Sequence, residues 1–189
     1  IGWECDFIPW DSISINWDDF DAVIIRSTWD YQQKEKLFFK TLQSIEASTA
    51  NLYNSLDSVK WNINKRYLLE LERENIPIIP TRLYNSFDFE IVSQLFSFFN
   101  ENKLVIKPCV SANADDTFIL EQSKMENLKT VLESTFSRKD FLVQPFIKSI
   151  KSEGEYSLIY FGNRLSHVLL KTPKNGDFRV QEEHGGILK

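Results

Sequence analysis

Near the end of the chain, GDFRVQEEHGG (Gly176 to Gly186) sets Asp177, Arg179, Glu182, Glu183 and His184 ahead of a glycine pair, with Lys171 and Lys174 just before it. Mixed charge at this density suits a pocket that must hold a charged substrate without binding every anion. A polar loop at the end of a hairpin is the other reading of the same residues. Gly185 and Gly186 permit positive φ or a close backbone approach. The other histidine, His167 in RLSHVLL, reads as a packed strand residue rather than a catalyst.

A second candidate is VIKP, Val105 to Pro108. A lysine late in an apolar strand has a fixed stem, and its ammonium can meet a phosphate oxygen as a point charge. A strand-end lysine meeting only water is the alternative. The polar loop SANADDT, Ser111 to Thr117, follows. Its backbone N–H groups could cradle phosphate, yet it lacks glycine and carries Asp115 and Asp116, so it also fits a surface turn. VQPFI, Val143 to Ile147, could give a nucleobase a flat apolar wall or simply be a core strand. Glu153 and Glu155 beyond it could accept ribose hydroxyls or form a solvated pair. There is no GxxxxGK[ST] run, which argues against a P-loop fold, and no HRD or DFG set of a protein kinase.

The elements that must position these residues follow from periodicity. FDAVII, Phe20 to Ile25, is an apolar run expected to be a parallel strand buried on both faces. A helix follows from Gln32 to Ala47, with Phe38, Leu42 and Ile45 on one face. RSTWDY, Arg26 to Tyr31, then lies past the strand's carboxyl end, where α/β sheets collect ligands. The next helix is capped by Asn64, with Tyr67, Leu68 and Leu71 inward, and stops before Pro77 and Pro80. Another runs from Ser86 to Asn100 with Phe87, Ile91, Leu95 and Phe99 in line. LVIKPCVS is a strand, Ser123 and Glu126 form a capping box before a helix with Met125, Leu128 and Leu132, and FLVQPF is a short strand. EYSLIYF and RLSHVLLK flank Gly162-Asn163 as a hairpin. These elements place boundaries near Thr81 and Lys148.

The 189 residues are 42% hydrophobic and 26% charged, enough for one large or two small cored domains. A net charge of -5 without a Lys/Arg block argues against nucleic acid and anionic membrane as partners. Cys5 and Cys109 suggest neither a disulfide framework nor a zinc site. No apolar run reaches the roughly 18 residues of a membrane span, and a reduced cytoplasmic location is the expectation.

Taken in order, RSTWDY, WNINKRYLLEL, VIKPCVSANADDT, VQPF, GEYSLIYF and DFRVQEEHGG resemble an ATP-grasp protein of the glutathione-synthetase type. The resemblance is nearest to a bacterial subgroup that includes a cycloserine-forming cyclo-ligase, and it covers most of residues 17–186. It implies an α/β plus α+β architecture, with a partial α/β lobe before an incomplete two-lobed ATP-grasp fold. The implied divisions are 1–80 (substrate-side lobe and first helix), 81–147 (small lobe with lid loop) and 148–189 (start of the C-terminal antiparallel lobe).

The same resemblance implies roles. Lys65 and Lys107 would contact ATP phosphates beneath a lid that includes Ser111, Ala112 and Asn113. Gln144, Pro145, Phe146 and Ile147 would line the adenine, partly through backbone. Glu155, or failing it Glu153, would meet the ribose. Lys171 would stand near the transferred phosphate and Arg179 would steady an acyl phosphate. Arg26, Ser27, Thr28 and Trp29, with His184 and Gly185, would face the substrate. The implied reaction is ATP-dependent activation of a small-molecule carboxylate as an acyl phosphate, which an amine or similar nucleophile then attacks. ATP and Mg2+ are the implied cofactors, and a homo-oligomer is compatible with the family. Two departures stand out: the lid is glycine-free, and the family's magnesium ligands lie in a segment after the Gly-Gly pair, so the chain reads as an internal part of a longer enzyme. A non-catalytic nucleotide-binding or scaffold protein that keeps the fold, and a phosphotransferase acting on a hydroxyl, are the competing functions.

Overall fold

A computed structural model describes residues 2–189, and the chain divides into two compact units, Ile1–Ile78 and Ile79–Lys189. The first is α/β. Strand β1 (Ala22–Ile24) pairs in parallel with β2 (Asn51–Tyr53), in the register Ala22↔Asn51 to Ile24↔Tyr53. Helix α1 (Glu35–Glu46) connects them and buries Phe38, Leu42 and Ile45, the face its spacing predicts. Phe38 also packs edge-on to Trp10 and stacks on Tyr31.

Burial of FDAVII on both faces does not hold. Only three of its residues form strand, and Ile24 is 68% exposed. β1 has one strand neighbour among the described residues, and α1 provides the unit's buried helix face.

Helix α2 (Leu56–Asn62) starts at Ser55, whose Oγ accepts from the Ser58 N–H. Helix α3 (Tyr67–Arg73) begins later than predicted. Asn64 does accept a backbone N–H, that of Arg66, but Tyr67 and Leu68 donate to the carbonyls of Asn64 and Lys65 three residues back. Asn64 therefore caps a tight 3-10-type turn that precedes the helix.

The second unit is α+β. Its larger sheet contains β3 (Arg82–Tyr84), β4 (Lys103–Pro108), β5 (Phe118–Glu121) and β6 (Phe141–Pro145), antiparallel in the order β3-β6-β4-β5. Helices α4 (Phe89–Phe99) and α5 (Lys129–Phe136) contribute Val92, Leu95, Phe96, Leu132 and Phe136 to a core shared with Leu104, Ile106, Leu120, Phe141 and Val143 of the sheet. Of the predicted stripe, Phe87, Leu95 and Phe99 pack on this core; Ile91 does not, being 44% exposed, and Val92 and Phe96 are buried in addition. Asp88 caps this helix by accepting from Ile91 N–H, and Asn100 ends it in the left-handed conformation.

The Ser123/Glu126 capping box is absent. Residues Gln122–Leu128 form a 3-10 helix without a side-chain cap, and the Glu126 carboxylate turns forward to Lys129 at 3.8 Å.

After the short helix α6 (Ser149–Ser152), β7 (Glu155–Phe161), β8 (Arg164–Thr172) and β9 (Ile187–Leu188) form a second antiparallel sheet. The hairpin turns at Gly162-Asn163 as its sequence predicts. His167 is not packed: β8 is exposed from Arg164 through Val168, so the ring has no core to enter, and its Nδ1 lies 2.9 Å from Ser166 Oγ.

Candidate functional site

Strand β4 sorts its side chains by the two-residue period. Leu104, Ile106 and Pro108 point into the core, and Lys103, Val105 and Lys107 take the other face, half-buried. Lys107 is opposite Leu142 in β6, and burial pushes its ammonium below the usual lysine value. The Glu155 carboxylate opposes that shift by favouring the charged form. Among the described residues Lys107 has neither a hydrogen-bond nor an ion-pair partner. A largely desolvated cation without a counter-ion is costly unless an anion joins it.

Glu155 opens β7 and is held opposite Lys171 of β8, Oε1 to Nζ 3.2 Å. Two features set this pairing. Gly154, at φ +104°, lets the chain approach so closely that a Cβ there would lie 2.4 Å from the Lys171 carbonyl oxygen. The hairpin register also shifts by one residue between Ile159 and Tyr160, leaving Ser166 as the extra residue on β8. An unshifted count from Phe161↔Arg164 would put Leu170 opposite Glu155.

The loop 111–117 is tied down at several points. Asp115 N–H donates to the Ala112 carbonyl and Thr117 N–H to that of Ala114, Asp116 pairs with Lys139, and Ser111 Oγ reaches the Pro108 carbonyl at 3.3 Å. Asn113, Ala114 and Asp116 all have positive φ, so ordinary residues occupy left-handed positions that favour glycine. His184 Nε2 is 3.0 Å from the Asn113 carbonyl oxygen, and donation across that contact requires the proton on Nε2.

In the 176–186 run, Arg179 grips Asp177 through Nε (3.1 and 3.2 Å) and Nη2 (2.8 Å). Asp177 Oδ1 also accepts from the N–H groups of Phe178 and Arg179. The Arg179 guanidinium, aided by these backbone donors, holds the Asp177 carboxyl well below the usual range. Nη1 of Arg179 is engaged by no described residue. Val180 is buried, and a Cβ at Gly186 would lie 2.1 Å from its carbonyl oxygen, so the second glycine is required by packing.

At the end of β6, Gln144 is buried and its Nε2 donates to Thr81 Oγ1 (2.9 Å), which donates on to the Ile79 carbonyl. Phe146 N–H is taken by the Lys103 carbonyl, and its ring meets Phe178 edge-on at 6.5 Å. Pro145 has no N–H; that of Ile147 donates to nothing among the described residues.

Lys107, Ser111 to Asn113, Gln144 to Ile147, Glu155, Lys171, Arg179, His184 and Gly185 thus all fall in the second unit. Lys65 and Arg26 to Trp29 belong to the first. There, Arg26 and Thr28 line a cavity of about 130 Å³ with Ile8, Trp10, Trp17 and Phe38, while Ser27 takes positive φ and Trp29 is exposed. Sequence reasoning missed the anchoring of Arg179 by Asp177, for which the Asp-x-Arg spacing was the available signal. It also missed the roles of Gly154 and Thr81, which depend on contacts that have no local pattern.

The chain and its fold are similar to those of known proteins. The chain is 25% identical over 175 residues to the cycloserine biosynthesis protein DcsG of Streptomyces lavendulae, covering 90% of this chain and 58% of DcsG. The crystal structure of the D-cycloserine synthetase DcsG superimposes with a TM-score of 0.77 at 23% identity, over 86% of this chain and 56% of that one. The RimK domain ATP-grasp protein of Sphaerobacter thermophilus matches at 0.58 and 17% identity, over 71% of this chain and 50% of its own. The fold is the ATP-grasp fold. The ATP-grasp ligase PsnB, in a complex with Mg and ADP, also matches, at 0.52 and 19% identity over 81% of this chain and 45% of its own. Residues 1–54 further match the family model for the N-terminal domain of D-cycloserine synthetase DcsG. The chain is homologous to DcsG, and it spans 58% of the length of that relative. No helix among the described residues is long and apolar enough to cross a membrane.

Proposed function

We propose that this ATP-grasp chain binds ATP and takes part in activating a small-molecule carboxylate as an acyl phosphate, which an amine or similar nucleophile then attacks. The observation that carries this reading is Lys107, a half-buried ammonium with no ion pair among the described residues and within the field of Glu155, which itself pairs with Lys171. The residues present fit a nucleotide. Lys107 would hold its phosphates, with the backbone of Ser111, Ala112 and Asn113 over them. Ile147 offers an unengaged N–H to the base edge, Phe146 and Pro145 an apolar wall, and Glu155 two acceptors for ribose hydroxyls. Lys65 is assigned to phosphate contact by the resemblance. Mg2+, which PsnB holds together with ADP, finds no set of three or more His, Cys, Asp or Glu ligands among the described residues.

ATP supplies the phosphoryl group. Two negative reactants must then meet, and cations must offset their repulsion while positioning does the rest. Lys171 would offset charge at the transferred phosphate. Arg179, already oriented by Asp177, has Nη1 left for the acyl phosphate oxygens. The tethered lid would exclude water from an intermediate that otherwise hydrolyses. In the first unit, Arg26 and Thr28 at the 130 Å³ cavity are assigned to the substrate carboxylate, with Ser27 and Trp29 beside them.

The test is carboxylate-dependent release of ADP with hydroxylamine present, using a panel of small acids. Formation of a hydroxamate is the expected result. A phosphorylated product stable to hydroxylamine would assign transfer to a hydroxyl, and nucleotide binding with no turnover on any acid would favour a non-catalytic binding protein.

A further inference from the structure

The Glu155–Lys171 pair sits where the nucleotide reading needs one residue for ribose and the other for phosphate. In the free protein the two satisfy each other's charge, Oε1 to Nζ at 3.2 Å. We propose that Glu155 stands in for nucleotide phosphate in the free protein and exchanges Lys171 for ribose hydroxyls when nucleotide binds, so that it selects nucleotides against free polyphosphates. The proposal rests on the nucleotide-binding reading above.

The geometry supports such an exchange. Gly154 lets the backbone before Glu155 approach the Lys171 carbonyl closely, which places the two side chains within reach of each other. The extra residue Ser166 brings Lys171, rather than Leu170, opposite Glu155. Side-chain exposures of 30% for Lys171 and 46% for Glu155 leave the pair open to a ligand, and ion pairs this exposed are weak and easily displaced. Lys107 has no ion pair of its own, and Glu155 is the carboxylate whose field reaches it. Asp177 is committed to Arg179 and Asp116 to Lys139, while Glu153, two residues before Glu155, has no ion pair among the described residues and does not enter the field at Lys107.

One carboxylate therefore balances two cations while the site is empty. A triphosphate without a ribose must displace Glu155 and leave it unpaired next to new negative charge. A nucleotide offers hydroxyl donors to the same carboxylate and loses nothing. Selectivity then comes from a repulsion imposed on the wrong ligand as well as from attraction to the right one.

The experiment is calorimetric titration of ADP and of inorganic tripolyphosphate, both magnesium-free, into the wild-type chain, Glu155→Gln, Lys171→Met and the double variant. The expected result is opposite signs in Glu155→Gln, with tripolyphosphate binding about tenfold tighter and ADP about tenfold weaker. The tripolyphosphate gain should vanish when Lys171→Met is added. Equal shifts of both ligands, an unchanged tripolyphosphate affinity, or a gain that persists without Lys171 would overturn the exchange. Failure of the wild type to bind ADP would instead remove the nucleotide reading on which it rests.

Discussion

His184 Nε2 lies 3.0 Å from the carbonyl oxygen of Asn113, joining the loop that precedes the glycine pair to the middle of the lid loop. The contact spans 71 positions of sequence. His184→Ala should release this tether. A net hydrogen bond is worth about 0.5–1.5 kcal/mol, so amide exchange at residues 112–116 should rise several-fold with little change in global stability. Hydrogen exchange read by mass spectrometry checks this; unchanged protection there would show that the other contacts of the loop hold it alone.

Ala114 adopts φ +60° without the side-chain hydrogen bonding that lets asparagine tolerate that region. Ala114→Gly should stabilise the second unit by about 0.5–1 kcal/mol. Asn113→Gly, at φ +52°, should gain less. Urea denaturation of the two variants gives the comparison, and an equal effect at both positions would contradict the strain argument.

Gly154 and Gly162 both have positive φ, but their surroundings differ. A Cβ at Gly162 meets nothing within 4 Å, whereas one at Gly154 would lie 2.4 Å from a backbone oxygen. Gly162→Ala should cost about 1 kcal/mol from backbone strain alone. Gly154→Ala should cost more and should also weaken nucleotide binding, since it pushes β7 away from Lys171. Thermal unfolding with ADP titration separates the two effects.

Two carboxyl groups tie stability to acid pH. Hydrogen bonds from Lys103 and then Lys124 lower Glu121 to about 2 from 4.5, and Arg179 lowers Asp177 from 3.8. In each case the folded value lies below the unfolded one. The contribution is therefore complete above the unfolded value and is lost as pH falls through the folded value. Between pH 4.5 and 2 the wild type should lose stability more steeply than Glu121→Gln with Asp177→Asn. Both pairs are partly exposed, so the difference should be small and shrink in salt. Parallel curves across that range would contradict it.

Much of this fold was legible because local patterns determine it. The α1 stripe, the strand that carries Lys107 and the Gly-Asn hairpin each come from a period, an apolar run or a turn that is local in sequence. The misses have equally physical causes. FDAVII is apolar enough for two buried faces, but burial depends on neighbours that its own residues do not specify. On α4 only Ile91 leaves the predicted face while Val92 and Phe96 join it, and an apolar run with few polar markers leaves the edges of that face undetermined. Ser123 and Glu126 have the spacing of a capping box, yet Lys129 competes for the same carboxylate.

The candidate site was legible as a set of residue types, and less so as a set of partners. Lys107, Glu155, Lys171 and Arg179 were each singled out from motif and order. That Glu155 faces Lys171 depends on one extra residue, Ser166, and a hairpin counted from its turn gives Leu170 instead. The anchoring of Gln144 by Thr81 joins residues 63 apart, which no spacing rule reaches.

The central claim is that Lys107, half-buried and without an ion pair among the described residues, receives nucleotide phosphate. Its most direct test is calorimetric titration of Mg-ADP into the wild-type chain and into Lys107→Ala. The account predicts micromolar binding to the wild type and at least about tenfold weaker binding to the variant, since a charge-assisted hydrogen bond is worth about 1.5–3 kcal/mol. Equal affinity for both folded proteins, or no binding by a folded wild type, would contradict it.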